Sequence, residues 1–309
     1  MIEKKEVIGP KICAGGLTVL DYEFIKPIKT KLCFENQHIY LNNRTYIIRL
    51  QNPIYTIERK ILGQHQLSLL KKYNNVTIHT NAELKSIDKD SIVIKYGNKE
   101  KKVFYKHLIG ADGSTSVVRG YLGLKSEIYM GIQYIIPKTY DKLIWILNPE
   151  LLGSGYGWIF PHEEFTSAGI FYNPRKMTAV HAKEVLDILL MKYKIDFLGA
   201  RFEGAPTNTF FKGFEFGNIF LIGDAAGLVS ANTGEGISYA LTSGEDVAKH
   251  ILNNTYNFDK IRDILKYKNR QERILKIFDI MHFAWIQNLL FHIFIQLLNH
   301  EWFQQYYGD

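Results

Sequence analysis

The chain has 309 residues, of which 46% are hydrophobic and 14% are aromatic, so it can bury a sizeable core in two interleaved domains. Its formal net charge is +7, but the lysines are scattered, which argues against a nucleic-acid-binding stripe. The positive charge either attracts the anionic headgroups of lipids or substrates, or simply reflects biased lysine usage. The two cysteines, Cys13 and Cys33, argue against a disulfide scaffold and fit a reducing cytoplasm. The charged start is not a signal peptide, and no metal site is predicted.

The first residues, 1–4, have the pattern of a strand end, and Glu3 stands where a dinucleotide-binding unit has the acid that binds ribose. The G-x-G-x-x-G turn that should precede such a strand occurs nowhere in the chain. We therefore expect about thirty residues of that unit to be missing upstream. The alternative is that Glu3 is an ordinary surface acid near a terminus.

Residues 9–18 form a predicted loop, because one glycine stands beside a proline and a pair of glycines follows. Gly15 and Gly16 permit the backbone to lie against a flat ring. Cys13 precedes them as a free thiol, which is either redox-active or a small packing residue.

Short alternating segments predict antiparallel strands over residues 37–41 and 45–50. A helix is predicted to begin near Arg59, which is either an anion-binding arginine or a solvated residue at a helix end. Further strands are predicted over residues 76–79 and 91–94, as expected of a small sheet attached to a nucleotide-binding domain.

A second polar turn follows a strand that ends at Gly110. Asp112 and Gly113 form this turn, and a helix that carries Ser116 and Arg119 is predicted to come next. A strand, a polar turn and a helix in this order are typical of a nucleotide-binding α/β unit.

Residues 126–212 alternate in the manner of a mainly antiparallel sheet. Tyr156, Trp158 and Phe160 stand at alternate positions of one strand, so their side chains share a face. That face is either a suitable wall for a long apolar ligand or an ordinary aromatic core.

The strongest pattern lies in residues 217–250. Residues 219–222 predict a strand buried on both faces of a parallel sheet. Gly223 and Asp224 follow at its carboxyl end, where open α/β sheets bind ligands. Residues 233–236 then stand at the start of a helix, whose free N–H groups suit an anion or an electron-rich ring oxygen. The alternative is that Asp224 is only an N-cap.

Two of these motifs together resemble those of a known superfamily. GDAAGLVSANTGEGISYAL, from Gly223, and GADGSTSVVR, from Gly110, are similar to motifs of FAD-dependent reductases and hydroxylases with the p-hydroxybenzoate hydroxylase fold. The first motif is most similar to the geranylgeranyl reductase family, which the Cys13 loop and the aromatic string around Trp158 also resemble. The resemblance implies an α/β (α+β) fold, in which a Rossmann-like FAD-binding domain is interleaved with a mainly antiparallel substrate-binding sheet.

The resemblance also divides the chain. The FAD-binding domain would comprise residues 1–30, 55–125 and 213–250, and the substrate-binding sheet residues 31–54 and 126–212. Residues 251–309 would form a C-terminal helical region. Its end is too short and too polar to span a membrane, so it is expected on a membrane surface, over a lipid tunnel, or as a helical cap.

Individual residues also acquire implied roles. Asp224 would hold the ribityl or ribose hydroxyls, and Arg59 the phosphates. The other residues implied in FAD binding are Glu3, Lys11, Cys13, Asp112, Gly223, Gly234, Gly236 and Ile237. The residues implied in substrate binding are Tyr156, Trp158 and Phe160, and the candidate proton donors besides water are Cys13 and Tyr156. The chain departs from the family's glycine, proline and lysine at Ala14, Ala231-Asn232 and His162.

The reaction implied by the resemblance is reduction of C=C bonds in a prenyl chain of an isoprenoid lipid. Electrons would come from NAD(P)H or a ferredoxin-type donor, and the protein would be cytoplasmic with peripheral contact at a membrane. Two alternatives stay open. One is an FAD-dependent monooxygenase or halogenase of the same fold, and the other is a truncated, non-catalytic member.

Overall fold

A computed structural model describes residues 1–18, 22–29, 31–281 and 283–307. Its largest element is a curled sheet of eight strands, in which the β2–β9 pair is parallel and the other pairs are antiparallel. The spatial order is β1 (Gly16–Leu17), β3 (Arg44–Thr56), β2 (Leu32–Leu41), β9 (Ile144–Leu147), β10 (Tyr156–Pro161), β11 (Thr166–Tyr172), β8 (Ile128–Ile136) and β12 (Arg201–Asn208).

The two faces of this sheet have different tasks because successive side chains of a strand point to opposite sides. Ile159 of β10 packs into a core with helix α5 (Ala179–Lys192), which buries Val185 and Leu189 against the sheet. Trp158 and Phe160 belong to a second cluster on the other face. Helices α1 (Tyr22–Ile25) and α4 (Pro149–Leu152) are single turns beside the sheet.

A smaller, mixed sheet of three strands carries the two motifs. Strands β7 (Leu108–Gly110) and β14 (Ile219–Leu221) are parallel neighbours, and β13 (Glu215–Phe216) forms a hairpin with β14. The helices that follow these strands are α3 (Val117–Tyr121), α6 (Gly223–Ala226) and α7 (Ile237–Leu252). The carboxyl ends of β7 and β14 therefore place the two motifs side by side.

A third, antiparallel sheet consists of β4 (Ala82–Ile87), β5 (Ser91–Tyr96) and β6 (Lys99–Phe104), with helix α2 (Arg59–Leu70) preceding it. The strand predicted over residues 76–79 is wrong. Only His79 is bridged, in parallel, to Ile2, because residues 1–3 offer that segment a short partner and no continuous ladder.

Three helices complete the chain: α8 (Asp259–Ile280), α9 (Ala284–Leu297) and α10 (Glu301–Tyr307). They cover one end of the large sheet, where Phe291 and Ile295 of α9 pack with Ile39 and Ile48. One face of the segment is thus a helical cap. No helix in the described part of the chain is long and apolar enough to cross a membrane.

The α/β architecture and the interleaved antiparallel sheet confirm the predicted fold class. The proposed domain boundaries remain a prediction. Thr56, assigned to the FAD-binding part, pairs with Leu32 of the substrate-binding sheet, so the two parts share a strand ladder there.

Candidate active site

A cavity of about 520 Å³ lies where the large sheet, the loop before β1, the motif at β14 and the C-terminal helices meet. Its lining brings together most of the residues that the sequence analysis singled out. These are Lys11, Cys13, Arg59, Tyr156, Trp158, Phe160, Asp224, Gly234, Gly236 and Ile237. Glu3, Asp112 and Gly223 are not part of the lining.

Asp224 lines the cavity and is 8% exposed. Lys11 Nζ and Ser114 Oγ each donate to its Oδ2 oxygen at 2.9 Å. The N-cap of α6 is Ile222, and the cap makes no side-chain hydrogen bond. The N-cap alternative for Asp224 is therefore wrong: the residue lies inside the first turn, and its carboxylate faces Lys11.

Gly223 serves the packing of this turn. It adopts a φ of +53°, and a Cβ added to it would lie 2.7 Å from the Cβ of Ala240 on α7. Its N–H donates to Ser243 Oγ at 3.0 Å. Gly223 therefore lets α6 and α7 approach each other, while the neighbouring Asp224 faces the cavity.

The loop that carries Cys13 is pressed against the aromatic strand. A Cβ on Gly15, which has a φ of +79°, would lie 2.6 Å from the His162 ring, and a Cβ on Gly16 would lie 2.7 Å from the Phe160 ring. The paired glycines thus lie against flat rings of the protein itself. The Cys13 sulfur accepts the N–H of Gly15 at 3.4 Å, so the thiol folds back onto its own loop.

His162, which replaces the family's lysine, holds this loop in place. Its Nε2 lies 2.9 Å from the carbonyl oxygen of Ala14, and a carbonyl only accepts, so Nε2 carries the proton. Burial lowers the pKa of His162, and the bond to Ala14 opposes that shift only in part. The imidazole is consequently neutral, and it ties the end of β10 to the Cys13 loop.

The aromatic strand forms the apolar wall. Trp158 and Phe160 are buried, and Trp158 Nε1 donates to Ser167 Oγ at 2.8 Å. The Tyr156 hydroxyl donates to the carbonyl of Thr233, which anchors the start of the loop before α7. Tyr156 thus connects the wall to the glutamate-glycine turn of the 223–241 motif.

Arg59 is the first residue of α2 and lines the cavity. Its Nε is buried and has no hydrogen-bond partner among the residues that the structure describes. A buried, charged donor without a partner is unfavourable, so an anion in the cavity would stabilise it.

Asp112 and Glu3 have other positions. The Asp112 carboxylate accepts the backbone N–H groups of Val117 and Val118 at 2.6 and 3.2 Å, so it neutralises the N-terminus of α3. The Glu3 Oε1 accepts the N–H of Lys5 at 2.9 Å, in an exposed segment. The structure does not bring either side chain to the cavity.

Glu235 is a cavity residue that the sequence analysis did not single out. Its Oε1 accepts Thr18 Oγ1 at 3.2 Å and Ser238 Oγ at 2.9 Å, and burial raises the pKa of this carboxyl. The signal was local: a glutamate with a serine three residues later at a helix start. Its partner Thr18, 217 residues away, was not predictable from that signal.

Arg119 holds the backbone next to the site in place. It is 1% exposed, and its guanidinium donates to the carbonyls of Lys125, Phe210 and Ala225 at 2.6 to 3.2 Å. Ala225 follows Asp224, so Arg119 joins the end of the 110–119 motif to the turn of the 223–241 motif.

The fold is that of FAD-dependent flavoproteins. A geranylgeranyl bacteriochlorophyll reductase-like protein from Thermoplasma acidophilum superposes with a TM-score of 0.80 at 22% identity, over 97% of this chain and 85% of that one. PqsL, a probable FAD-dependent monooxygenase from Pseudomonas aeruginosa, gives 0.64 at 13% identity, over 94% and 92%. The flavin-dependent halogenase CmlS gives 0.65 at 15% identity, over 90% and 58%.

Sequence similarity narrows this class and confirms the resemblance to the geranylgeranyl reductase family. The chain is 28% identical to digeranylgeranylglycerophospholipid reductase 3 of Methanosphaera stadtmanae, over 86% of this chain and 75% of that protein. It is 26% identical to digeranylgeranylglycerophospholipid reductase of Methanocaldococcus jannaschii, over 85% and 74%. No family model matches the chain. We identify it as a homologue of these reductases.

Proposed function

We propose that the chain is an FAD-dependent reductase that saturates C=C bonds in the prenyl chain of an isoprenoid lipid. The observation that carries this proposal is the lining of the cavity, which combines the charged residues Lys11, Arg59 and Asp224 with an aromatic wall at Trp158 and Phe160. The names of the archaeal relatives support a digeranylgeranylglycerophospholipid as the substrate class.

The charged lining residues fit the polar part of FAD. The Asp224 carboxylate would accept hydroxyl groups of the ribityl chain or the ribose, and the unpartnered Nε of Arg59 would donate to a phosphate oxygen. Residues 234–237 line the cavity at the N-terminus of α7, whose free N–H groups suit an electron-rich ring oxygen. When bound, reduced FAD supplies the hydride for the reaction.

The chain's own residues orient the alkene and exclude water. Isolated alkenes are poor hydride acceptors, so the wall of Trp158 and Phe160 must hold the double bond in one position. The proton is delivered by Cys13, Tyr156 or water. Cys13 and Tyr156 line the cavity, with Tyr156 also bonded to the carbonyl of Thr233.

The electron donor in this proposal is NAD(P)H or a ferredoxin-type protein, and the enzyme works in the cytoplasm with peripheral contact at a membrane. The prenyl substrate is a lipid, so the cavity must receive it from a bilayer or a micelle.

A second candidate is a flavin-dependent monooxygenase or halogenase. It is favoured by the similar folds of PqsL and CmlS and by the aromatic string around Trp158. The two candidates differ in their need for oxygen. A non-catalytic member of the same fold that binds lipid without FAD is the third candidate.

Anaerobic turnover tests the proposal most fully. The protein, FAD, dithionite and a detergent-dispersed digeranylgeranylglycerophospholipid are incubated, and lipid masses are measured. A reductase adds two hydrogen atoms for each bond without oxygen. Substrate-dependent oxygen uptake with no change in lipid saturation would instead favour the monooxygenase or halogenase.

Two variants locate the proton donor. Cys13→Ser and Tyr156→Phe each keep the approximate shape of the residue, so FAD affinity should stay within about twofold. A donor variant lowers turnover by roughly 10² to 10⁴. If both variants retain full turnover, water is the donor and neither residue is catalytic.

A further inference from the structure

An unusual apolar surface lies where α8 ends and α9 begins. Five large apolar side chains within nine residues are exposed, including Ile280 at 68%, Phe283 at 66% and Trp285 at 69%. Single exposed apolar residues are ordinary, but a contiguous group marks an interaction site. We call this group the α8–α9 corner: Ile277, Ile280, Met281, Phe283 and Trp285.

The surface continues along α9. Leu289 and Ile293 follow Trp285 at intervals of four residues and are half exposed, while Phe291 and Ile295 are buried against the large sheet. No Asp, Glu, Lys or Arg occurs in α9. The helix is therefore apolar on its inner face and along much of its outer face, and the fold covers only the inner one.

The charges next to the corner are positive. Arg273 and Lys276 are exposed on the last turns of α8, and neither forms an ion pair with a described residue. The acids of the same stretch already have partners: Glu272 accepts Lys268, and Asp279 accepts Lys176. Apolar side chains flanked by unpaired basic residues are the arrangement that binds an anionic lipid surface.

The same two helices border the cavity. Phe278 of α8 and Phe294 of α9 line it, one residue away from the exposed Ile277 and Ile293. The ring centroids of Phe278 and Phe291 are 4.4 Å apart, and Gln287 Nε2 donates to the Phe278 carbonyl at 2.9 Å. These two contacts join α8 to α9. An apolar layer one helix thick thus separates the cavity from the corner.

We propose that the α8–α9 corner inserts shallowly into an anionic bilayer, and that a lipid's prenyl chain enters the cavity between α8 and α9. The entry route rests on the proposed function; the docking itself rests only on the exposed residues. The ligand of the corner is a lipid bilayer, because Arg273 and Lys276 complement anionic headgroups and the cavity behind the two helices has an apolar lining.

Vesicle binding tests the docking. The whole protein is mixed with vesicles of equal parts phosphatidylcholine and phosphatidylglycerol, and binding is measured by co-sedimentation. Phe283→Ser with Trp285→Ser should weaken binding by about tenfold or more. The matched control, Leu198→Ser with Leu252→Ser, removes two apolar residues that are 91% and 88% exposed elsewhere, and it should bind like wild type.

A second pair of variants tests the charges. Arg273→Gln with Lys276→Gln should weaken binding to the anionic vesicles several-fold and leave binding to pure phosphatidylcholine unchanged. The docking proposal is overturned if the wild-type protein does not bind the anionic vesicles, or if the Phe283 and Trp285 variant binds them as tightly as wild type. If wild type forms a concentration-dependent dimer and the Phe283 and Trp285 variant does not, the corner binds a second copy of the chain, and the lipid proposal is overturned.

Failure of the docking and failure of the proposed function give different results. Turnover of detergent-dispersed lipid should be equal in wild type and in the Phe283 and Trp285 variant, because neither residue lines the cavity. Turnover from vesicles should fall with binding. If no form reduces lipid but vesicle binding still depends on the corner, the proposed function fails and the docking stands.

Discussion

The two motifs that resemble those of flavoproteins have different structural tasks. In the 223–241 motif, Asp224 and Gly234 line the cavity. In the 110–119 motif, Asp112 neutralises a helix end and Arg119 ties buried carbonyls together. A motif that resembles those of flavoproteins can thus line the cavity itself or stabilise the elements around it. Substitutions in the two motifs should separate these roles.

The largest effect on stability should come from Arg119→Met. It removes a buried guanidinium and leaves the carbonyls of Lys125, Phe210 and Ala225 without their donor. The free energy of unfolding should fall by about 3–5 kcal/mol in a urea titration. Arg175→Met, whose side chain is exposed and bonded to Glu127, is the control and should change it by less than about 1 kcal/mol. Equal effects would contradict the role of Arg119.

Asp224→Ala should act on binding. The variant loses a charged acceptor, so FAD affinity should fall by roughly tenfold to a hundredfold in an absorbance titration. Lys11, its partner, is partly exposed and can be solvated, so the unfolding free energy should change less than in the Arg119 variant. Unchanged affinity would remove Asp224 from the proposed cofactor site.

Asp112→Ala sharpens the contrast within the two motifs. It removes the acceptor of the first N–H groups of α3, which should cost about 0.5–2 kcal/mol of stability. FAD affinity should stay within about twofold of wild type. A fall as large as that of the Asp224 variant would instead support the cofactor role that the family resemblance implies for Asp112.

The pH dependence of Glu235 gives the smallest expected effect. Burial raises the folded pKa of its carboxyl above the usual 4.5, so the unfolded chain releases the proton first as pH rises. The stability due to the protonated form is complete below pH 4.5 and is lost as pH rises through the folded pKa. Glu235→Gln does not titrate, so its stability relative to wild type should increase from pH 4.5 to 8. A constant difference in urea titrations over this range would contradict the protonated carboxyl.

Local patterns predicted much of the fold and part of the site. The shared face of Trp158 and Phe160 follows from the two-residue period of a strand, and α2 from apolar spacing after Arg59. Contacts between distant parts of the chain were not predictable. The Lys11–Asp224 ion pair joins residues 213 positions apart, and no local pattern encodes it.

Two predictions show the limit of local patterns. The cofactor role of Asp112 rests on the resemblance of its motif to those of flavoproteins and stays a prediction; in the structure its carboxylate accepts N–H groups of its own helix. Residues 76–78 are all β-branched, as is common in strands, but the segment has only residues 1–3 as a pairing partner. Strand formation needs a partner ladder, which propensity does not supply.

The most direct test of the central claim is a titration of the purified 309-residue chain with FAD, followed by visible absorbance after removal of free flavin. The cavity that joins Asp224 and Arg59 to the aromatic wall predicts one FAD bound per chain, with binding weakened in the Asp224→Ala variant. A wild-type chain that retains no flavin would contradict the flavoenzyme and leave the lipid-binding alternative.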